Sequence, residues 1–306
     1  ANPRLGELFG VWGPVEGRPA IEVIRRAPVD AALAEAARSS APVVREIQLG
    51  GPSPRHLEMH AVRFPSHGTL LGTVAVFHDV TEIHQLESMR RDFVANVSHE
   101  LRTPLTAIRG FAETLRSSDV PAEQRRQFLD VILRHADRLT ALIEDLLELS
   151  RIEGGTRDLA LEPVDVGALA RSLLQDLKPR LEVGRLTAFV EAGPVQLALA
   201  DRRALEQVLL NLLDNAIKYS EPGSRIQIAL TSSADGVRID LSDTGIGIPE
   251  ADQARIFERF YRVEKARSRD LGGTGLGLSI VKHLVQALDG EVFVTSREGS
   301  GTTFTL

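Results

Sequence analysis

The strongest constraint on how this chain folds is a helical repeat much longer than an ordinary globular helix. From Thr81 onward, Ile83, Leu86, Met89, Phe93, Val97 and Leu101 follow one another at spacings of three and four and trace one continuous apolar stripe. A polar stretch, RSSDVP at 116–121, interrupts it. A second repeat then runs from about Ala122 to Ile152, with Phe128, Ile132, His135, Leu139, Leu142, Leu146 and Leu149 on nearly heptad positions. Two long helices joined by so short a loop form an antiparallel hairpin. A hairpin alone leaves its stripe in water, so the pattern predicts that two copies pair into a four-helix bundle, a homodimer.

The first of these helices contains an anomaly. In VANVSHELRTPLTAIRG (94–110), His99 lies off the stripe of Phe93, Val97 and Leu101, and Pro104 follows five residues later. A proline inside a helix removes one backbone hydrogen bond, here the bond to the carbonyl of Glu100. A bend at this point would give local freedom to a solvent-facing histidine. Taken alone, such a histidine reads more readily as an inert surface group.

Composition narrows the function classes. A net charge of −6 argues against a general nucleic-acid binder, which would need a basic surface. With no cysteine there are no disulfides, thiolate metal sites or cysteine nucleophiles. No apolar run approaches the roughly 18 residues needed to cross a bilayer.

On either side of the hairpin the periodicity changes. Residues 1–80 read as a small α+β region with strands at 43–49, 55–64 and 70–80. His56, His60, His67 and His78 lack tight spacing there and read as surface or packing residues rather than metal ligands. Beyond EGGTRD (153–158), a candidate hinge, come a helix capped by Asp165, strands near 186–191 and 195–199, and a helix over about 202–219. Strands 225–230 and 237–242 follow, then a helix over about 276–288 ended by Gly290 at C′, and strands 291–296 and 302–306. This mixture predicts one mixed sheet with helices on one face.

Four local patterns point to a phosphorylated ligand, each weakly. Asn211, Asn215 and Lys218 recur on one polar stripe of the helix at 202–219. Amide oxygens suit a hard cation and lysine suits an anion, although a solvated helix face would look the same. DTGIGIP (243–249) places Asp243 at a strand end with Gly245 and Gly247 behind it, either a simple turn or a place for a flat ring whose amino group the carboxylate accepts. GGTGLGLS (272–279) runs into a helix N-terminus, where backbone N–H groups and the helix dipole favour an anion. Between the two glycine stretches, Arg255, Arg259, Arg262, Lys265, Arg267 and Arg269 make a basic segment, a cover for phosphates or a charged surface loop.

In this order and spacing, the pieces resemble a bacterial sensor histidine kinase of the two-component type, over roughly residues 90–306. VSHELRTPL (97–105) is similar to the family's phospho-acceptor box and NLLDNAIKYS (211–220) to its asparagine box. DTGIGIP and GGTGLGLS resemble its two glycine boxes, and IFERFYR (256–262) its phenylalanine box.

The resemblance implies a multidomain α+β chain. A partial PAS-like sensor region (1–80) precedes the dimerising phosphotransfer hairpin (81–153), a linker (154–162), and an ATP-binding α/β sandwich of the gyrase and Hsp90 type (163–306). It implies ATP-dependent phosphorylation of His99, with Glu100 as the acidic neighbour that raises the ring's nucleophilicity. Thr103 would help a water dephosphorylate the partner. Asp243 would take the adenine amino group, with Gly245 and Gly247 shaping that pocket and Tyr219 near the nucleoside. Asn215 would hold Mg²⁺; Asn211, Lys218 and Arg262 would meet phosphates, and Gly273, Gly275 and Gly277 would let the backbone wrap them. The implied partner is the receiver domain of a response regulator.

GTVAVFHDVTEIHQLE (72–87) is similar to the exit of a PAS domain, through an Asp-x-Thr turn at Asp79 and Thr81. A PAS domain begins with two strands before a stretch like ANPRLGELFG, so the expectation is the cytoplasmic portion of an inner-membrane-anchored protein, its membrane segments lying outside this chain. A nucleotide-driven conformational ATPase and a non-catalytic dimeric scaffold are the rival readings.

Overall fold

A computed structural model describes residues 3–11, 13, 15–51, 54–66, 69–117, 120–154, 159–193, 197–233, 236–263 and 273–306. The contact pattern divides the chain into two units, Ala1–Ala95 and Asn96–Leu306.

The first unit has three helices, α1 (Pro3–Phe9), α2 (Ala20–Ile24) and α3 (Ala27–Arg38), and an antiparallel sheet in the order β1 (Val43–Leu49), β2 (Arg55–Ser66), β3 (Thr69–Asp79). The sheet has the alternation expected of a half-buried surface. Leu57, Met59 and Ala61 of β2 pack beneath Val29, Ala32 and Ala36 of α3, while His56, Glu58 and His60 alternate with them on the opposite face. There the His56 ring stacks on His84 at 4.7 Å and the His60 ring lies 5.5 Å from His78; His67 lies outside the described residues. Thr81 closes the sheet's exit: its amide donates to Asp79 Oδ1 (3.0 Å), and its hydroxyl oxygen accepts the His56 amide (2.9 Å).

The chain then enters α4 (Thr81–Ser117), which runs through Pro104 without interruption, and returns as α5 (Ala122–Glu153). The Thr103 hydroxyl donates to the His99 carbonyl at 3.2 Å, at the turn where proline removes a donor. Phe111 and Phe128 meet across the hairpin with ring centroids 5.1 Å apart. The stripe read from the sequence of α5 turns inward, Leu142 and Leu149 being fully buried, whereas a second row, Leu129, Leu133, Ile143 and Leu147, faces out. The apolar surface left in water by one hairpin therefore includes this second row, together with Leu105 of α4.

The rest of the second unit is a five-stranded sheet in the order β5 (Thr187–Ala192), β7 (Arg225–Ser233), β8 (Gly236–Asp243), β10 (Gly301–Thr305), β9 (Phe293–Arg297). The β5–β7 pair is parallel and the others antiparallel. A two-stranded sheet joins β4 (Leu161–Asp165) to β6 (Leu197–Asp201). Helix α6 (Val166–Asp176) packs on β5 and β7, and α8 (Arg202–Lys218) packs on β8. Three short or late helices complete the fold: α7 (Lys178–Gly184), α9 (Glu250–Gln253) and α10 (Gly277–Ala287), the last lying against both α8 and α5. Leu209, Leu212, Leu213, Ile226, Ile228, Leu241, Leu276 and Ile280 fill the core between helices and sheet. Asp165 caps α6 as the sequence predicts.

One predicted cap is corrected. The residue in the left-handed conformation after α10 is Asp289 (φ 57°), not Gly290. The Gly290 amide instead bonds the Val285 carbonyl at 2.9 Å and that of Asp289 the Gln286 carbonyl at 3.1 Å, the paired bonds of a Schellman ending. A side chain at 290 would press on Val285.

Asp201 fixes the entrance to α8. One carboxylate oxygen caps the helix through the Ala204 amide (2.8 Å) while the other takes the Ala160 amide (2.9 Å), so that the approach to β4 is tied to the start of α8. Replacing Asp201 with alanine strands the buried Ala204 amide and releases that of Ala160. We expect a loss of about 2 kcal/mol in unfolding free energy, to be checked by urea denaturation.

Candidate functional site

The nucleotide-like features of the sequence converge because the end of α8 and the turn after β8 share backbone hydrogen bonds. The Tyr219 carbonyl accepts the Ile246 amide (3.1 Å), and the Ile246 carbonyl accepts the Gly299 amide (2.7 Å). Two glycines make this close approach possible. At Gly245 a Cβ would strike the Tyr219 carbonyl oxygen, and at Gly247, where φ is +70°, it would strike the Arg297 carbonyl oxygen. The Ile248 amide is anchored on Ser296 Oγ at 2.8 Å.

The result is a cleft of about 360 Å³. Asn211, Asn215, Lys218, Tyr219, Asp243, Gly247, Arg262, Gly273, Gly275 and Gly277, all singled out in the sequence, line it together. Gly245 does not; it lies behind the wall, against the backbone of Tyr219. Lys265, Arg267 and Arg269 lie outside the described residues.

At one end of the cleft, Asp243 is held by the Gly245 amide (2.8 Å) and by the Thr302 amide. Burial pushes its carboxyl above the ordinary value, and these two amides oppose the shift. Along α8, the Asn211 amide nitrogen is buried with no hydrogen-bond partner. A stranded donor of this kind calls for a partner, which a ligand in the cleft would supply. A triphosphate with Mg²⁺ fits these donors. Among the described residues no group of three or more His, Asp or Glu could hold a metal ion, so a cation at Asn215 would rest on an amide oxygen, phosphate oxygens and water, as Mg²⁺ characteristically does.

The hairpin contributes to this cleft, which the sequence alone did not reveal. Asp145 of α5 is part of its lining and accepts a hydrogen bond from Thr274 Oγ1 at 2.6 Å. Burial raises its pKa, opposed first by that bond and then by the charge of Lys218. Arg262, only 7% exposed, donates to the Gly273 carbonyl and pairs with Glu100 at 3.2 Å. Burial draws the Arg262 guanidinium below its ordinary pKa, and the Glu100 carboxylate opposes this. Glu100 also receives Arg138 of α5 at 2.9 Å. Farther along, Glu153 pairs with Arg259 and lies 3.7 Å from His283. His99 is exposed, one residue from Glu100, and Thr103 is exposed one turn farther on. Neither lines the cleft, so the nucleophile candidate and the pocket are linked through Glu100 and Arg262. Asp145 and Arg138 escaped sequence reading because a lone charge on a long polar helix carries no signal until its distant partners are known.

Comparisons with known proteins agree with this layout. The family model for the His Kinase A (phospho-acceptor) domain matches residues 89–155, and that for the histidine kinase-, DNA gyrase B- and HSP90-like ATPase matches residues 200–306. The sensor-like histidine kinase SenX3 of Mycobacterium tuberculosis is 41% identical over 233 residues, 76% of this chain and 57% of SenX3. The chain thus spans little more than half the length of that relative. Among solved structures, the histidine kinase AdeS of Acinetobacter baumannii is 29% identical with a TM-score of 0.57, covering 68% of this chain and 95% of that one. ThkA, solved in complex with the response regulator TrrA, shares the fold at 23% identity and a TM-score of 0.59, over 99% of this chain and 90% of that one.

Replacing Asn211 by leucine removes the stranded donor while keeping the volume. The expected outcome is an unfolding free energy within about 1 kcal/mol of the parent together with loss of nucleotide binding, measured by denaturation and calorimetric titration.

Proposed function

Because this chain belongs to the sensor histidine kinases of two-component systems, we propose that it binds Mg-ATP in the cleft, transfers the γ-phosphoryl group to His99, and passes it to an aspartate of a response regulator. The observation that carries this reading is the Arg262–Glu100 ion pair, which connects a cleft residue to the neighbour of an exposed histidine.

The chemistry follows from the residues. A neutral imidazole nitrogen of His99 attacks the γ-phosphorus; the bond to the β-phosphate oxygen breaks, and ADP leaves with that electron pair. The ring proton on the other nitrogen is then lost, and Glu100 is the nearest carboxylate in sequence to receive it. Asp243 orients the adenine amino group, Asn211 and Lys218 meet the phosphates, and Tyr219 borders the nucleoside. Mg²⁺, held by Asn215, would neutralise phosphate charge. Rate enhancement in such a site comes from positioning and charge compensation. Thr103, one turn from His99, would place a water for a separate phosphatase activity, in which the regulator's aspartyl phosphate is hydrolysed to free aspartate and inorganic phosphate.

The same reading assigns residues 1–80 a PAS-like sensory role, residues 81–153 dimerisation and phosphotransfer, 154–162 a linker, and 163–306 catalysis. The Asp79–Thr81 junction between β3 and α4 supports the first of these. No described helix is long and apolar enough to cross a membrane. We place the chain on the cytoplasmic side of a membrane-anchored protein, since its regulator and ATP are there. The exposed row on α5, with Leu133 60% and Leu147 54% accessible, supports a homodimer closed by a four-helix bundle.

Two experiments test the proposal. His99→Ala should abolish acid-labile, base-stable labelling from γ-labelled ATP while nucleotide binding survives; labelling that persists refutes the assignment. Leu133→Glu combined with Leu147→Glu buries two charges in the bundle seam. Light scattering should then report a monomer where the parent is a dimer.

A further inference from the structure

Two carboxylates of the helical hairpin hold the nucleotide domain at its phosphate-binding loop. From α5, Asp145 takes the Thr274 hydroxyl (2.6 Å), whose oxygen in turn accepts the Leu276 amide (3.3 Å) at the entry to α10. From α4, Glu100 takes Arg262, whose guanidinium also donates to the Gly273 carbonyl. Both contacts lie beside the donors a nucleotide's phosphates would use. Asp145 holds Thr274, between Gly273 and Gly275, and feels the charge of Lys218, while Arg262 holds the Gly273 carbonyl. All of these residues line the cleft; Glu100 does not.

A triphosphate competes with both contacts by different physics. It offers Arg262 a better bidentate acceptor than the Glu100 carboxylate, which Arg138 can keep on its own. It also brings several negative charges beside Asp145, where Glu144 and Asp214 already add like charge and Lys218 is the cation acting on it. A bound triphosphate and an intact pair of contacts therefore disfavour each other. By linkage, whatever the phosphates do to the contacts, the contacts do to nucleotide affinity.

We propose that Asp145 and Glu100 form a latch between hairpin and nucleotide domain that phosphates displace, with Asp145 setting how strongly the site discriminates nucleotides by their number of phosphates. Entry of the β- and γ-phosphates expels the Asp145 carboxylate from the cleft and moves Arg262 from Glu100 onto the nucleotide. This frees the loop at 273–274 from α5 and leaves Glu100, the residue after His99, with Arg138 alone at the moment substrate is present. The inference rests on the ATP reading above and adds to it a cost, built into the hairpin, that only a phosphate-rich ligand overcomes.

The test is calorimetric titration of the whole chain with ATP, ADP and adenosine, comparing the parent with Asp145→Asn. Asparagine keeps the shape and an acceptor for Thr274 but removes the charge. ATP should bind about tenfold tighter to the variant, ADP should gain less, and adenosine should stay within about twofold. Glu100→Gln, a second neutral replacement on the other contact, should move ATP affinity in the same direction. An unchanged ATP affinity, or equal gains for all three ligands, overturns the latch while leaving the ATP site intact. Absence of nucleotide binding by parent and variants alike overturns the ATP reading, and the latch with it.

Discussion

A buried guanidinium has to find an anion, and Arg262 determines how the two functional halves of this protein meet. It sits at the lip of the cleft with almost no solvent access, bonded to a backbone carbonyl of the glycine-rich loop and paired with Glu100 on the hairpin. Either a carboxylate or a phosphate can compensate it. The residue next in sequence to that carboxylate is the exposed His99. One charge thus connects the place where a triphosphate would bind to the side chain that would receive its terminal group.

The rest of the ATPase-like domain gives that charge a fixed address. The α8 stripe of Asn211, Asn215 and Lys218 faces the cleft because Leu205, Val208, Leu209 and Leu212 on its other side are sealed in the core. Asp243 stands opposite because β8 pairs on both sides, with β7 and β10, and the turn that follows is pinned to the end of α8. The glycines are needed where backbones nearly touch. Stability is partly given up for function here: the Asn211 donor is left without a partner, and Asp243 is buried against the pull of solvation.

Much of this was legible in the sequence for a definite reason. Apolar periodicity reports burial, so the long hairpin, the strands of the five-stranded sheet and α8 were placed to within a few residues. The cleft-lining residues were legible because they violate local preference, asparagines in a helix interior and glycines at a strand end; the histidine and proline of one amphipathic stretch stood out in the same way but lie outside the cleft. What could not be read depends on pairing between distant segments. Asp145 with Thr274 and Arg138 with Glu100 are ordinary helix-surface charges until the fold brings their partners to them. The short strand β4, with Pro163 at its middle and Glu162 and Asp165 within it, gains its identity only from pairing with β6. Asp289 takes the left-handed position expected of its glycine neighbour, and Gly290 lies one residue later, where a side chain would crowd Val285. The helices α1 and α2 are short and lie among scattered prolines and glycines, whereas the alanine-rich α3, with Pro28 in its first turn, has high helix propensity and packs Val29, Ala32 and Ala36 on the sheet.

The central claim is that phosphate travels from the cleft to one particular imidazole. The most direct measurement is tandem mass spectrometry of the protein after incubation with Mg-ATP, kept alkaline throughout so that a phosphoramidate survives. The account predicts a single phosphoryl group, carried by the peptide around Ser98, His99 and Glu100 and localised to the ring of His99. A phosphoryl group on any other side chain, with His99 unmodified while ATP is consumed, would contradict it.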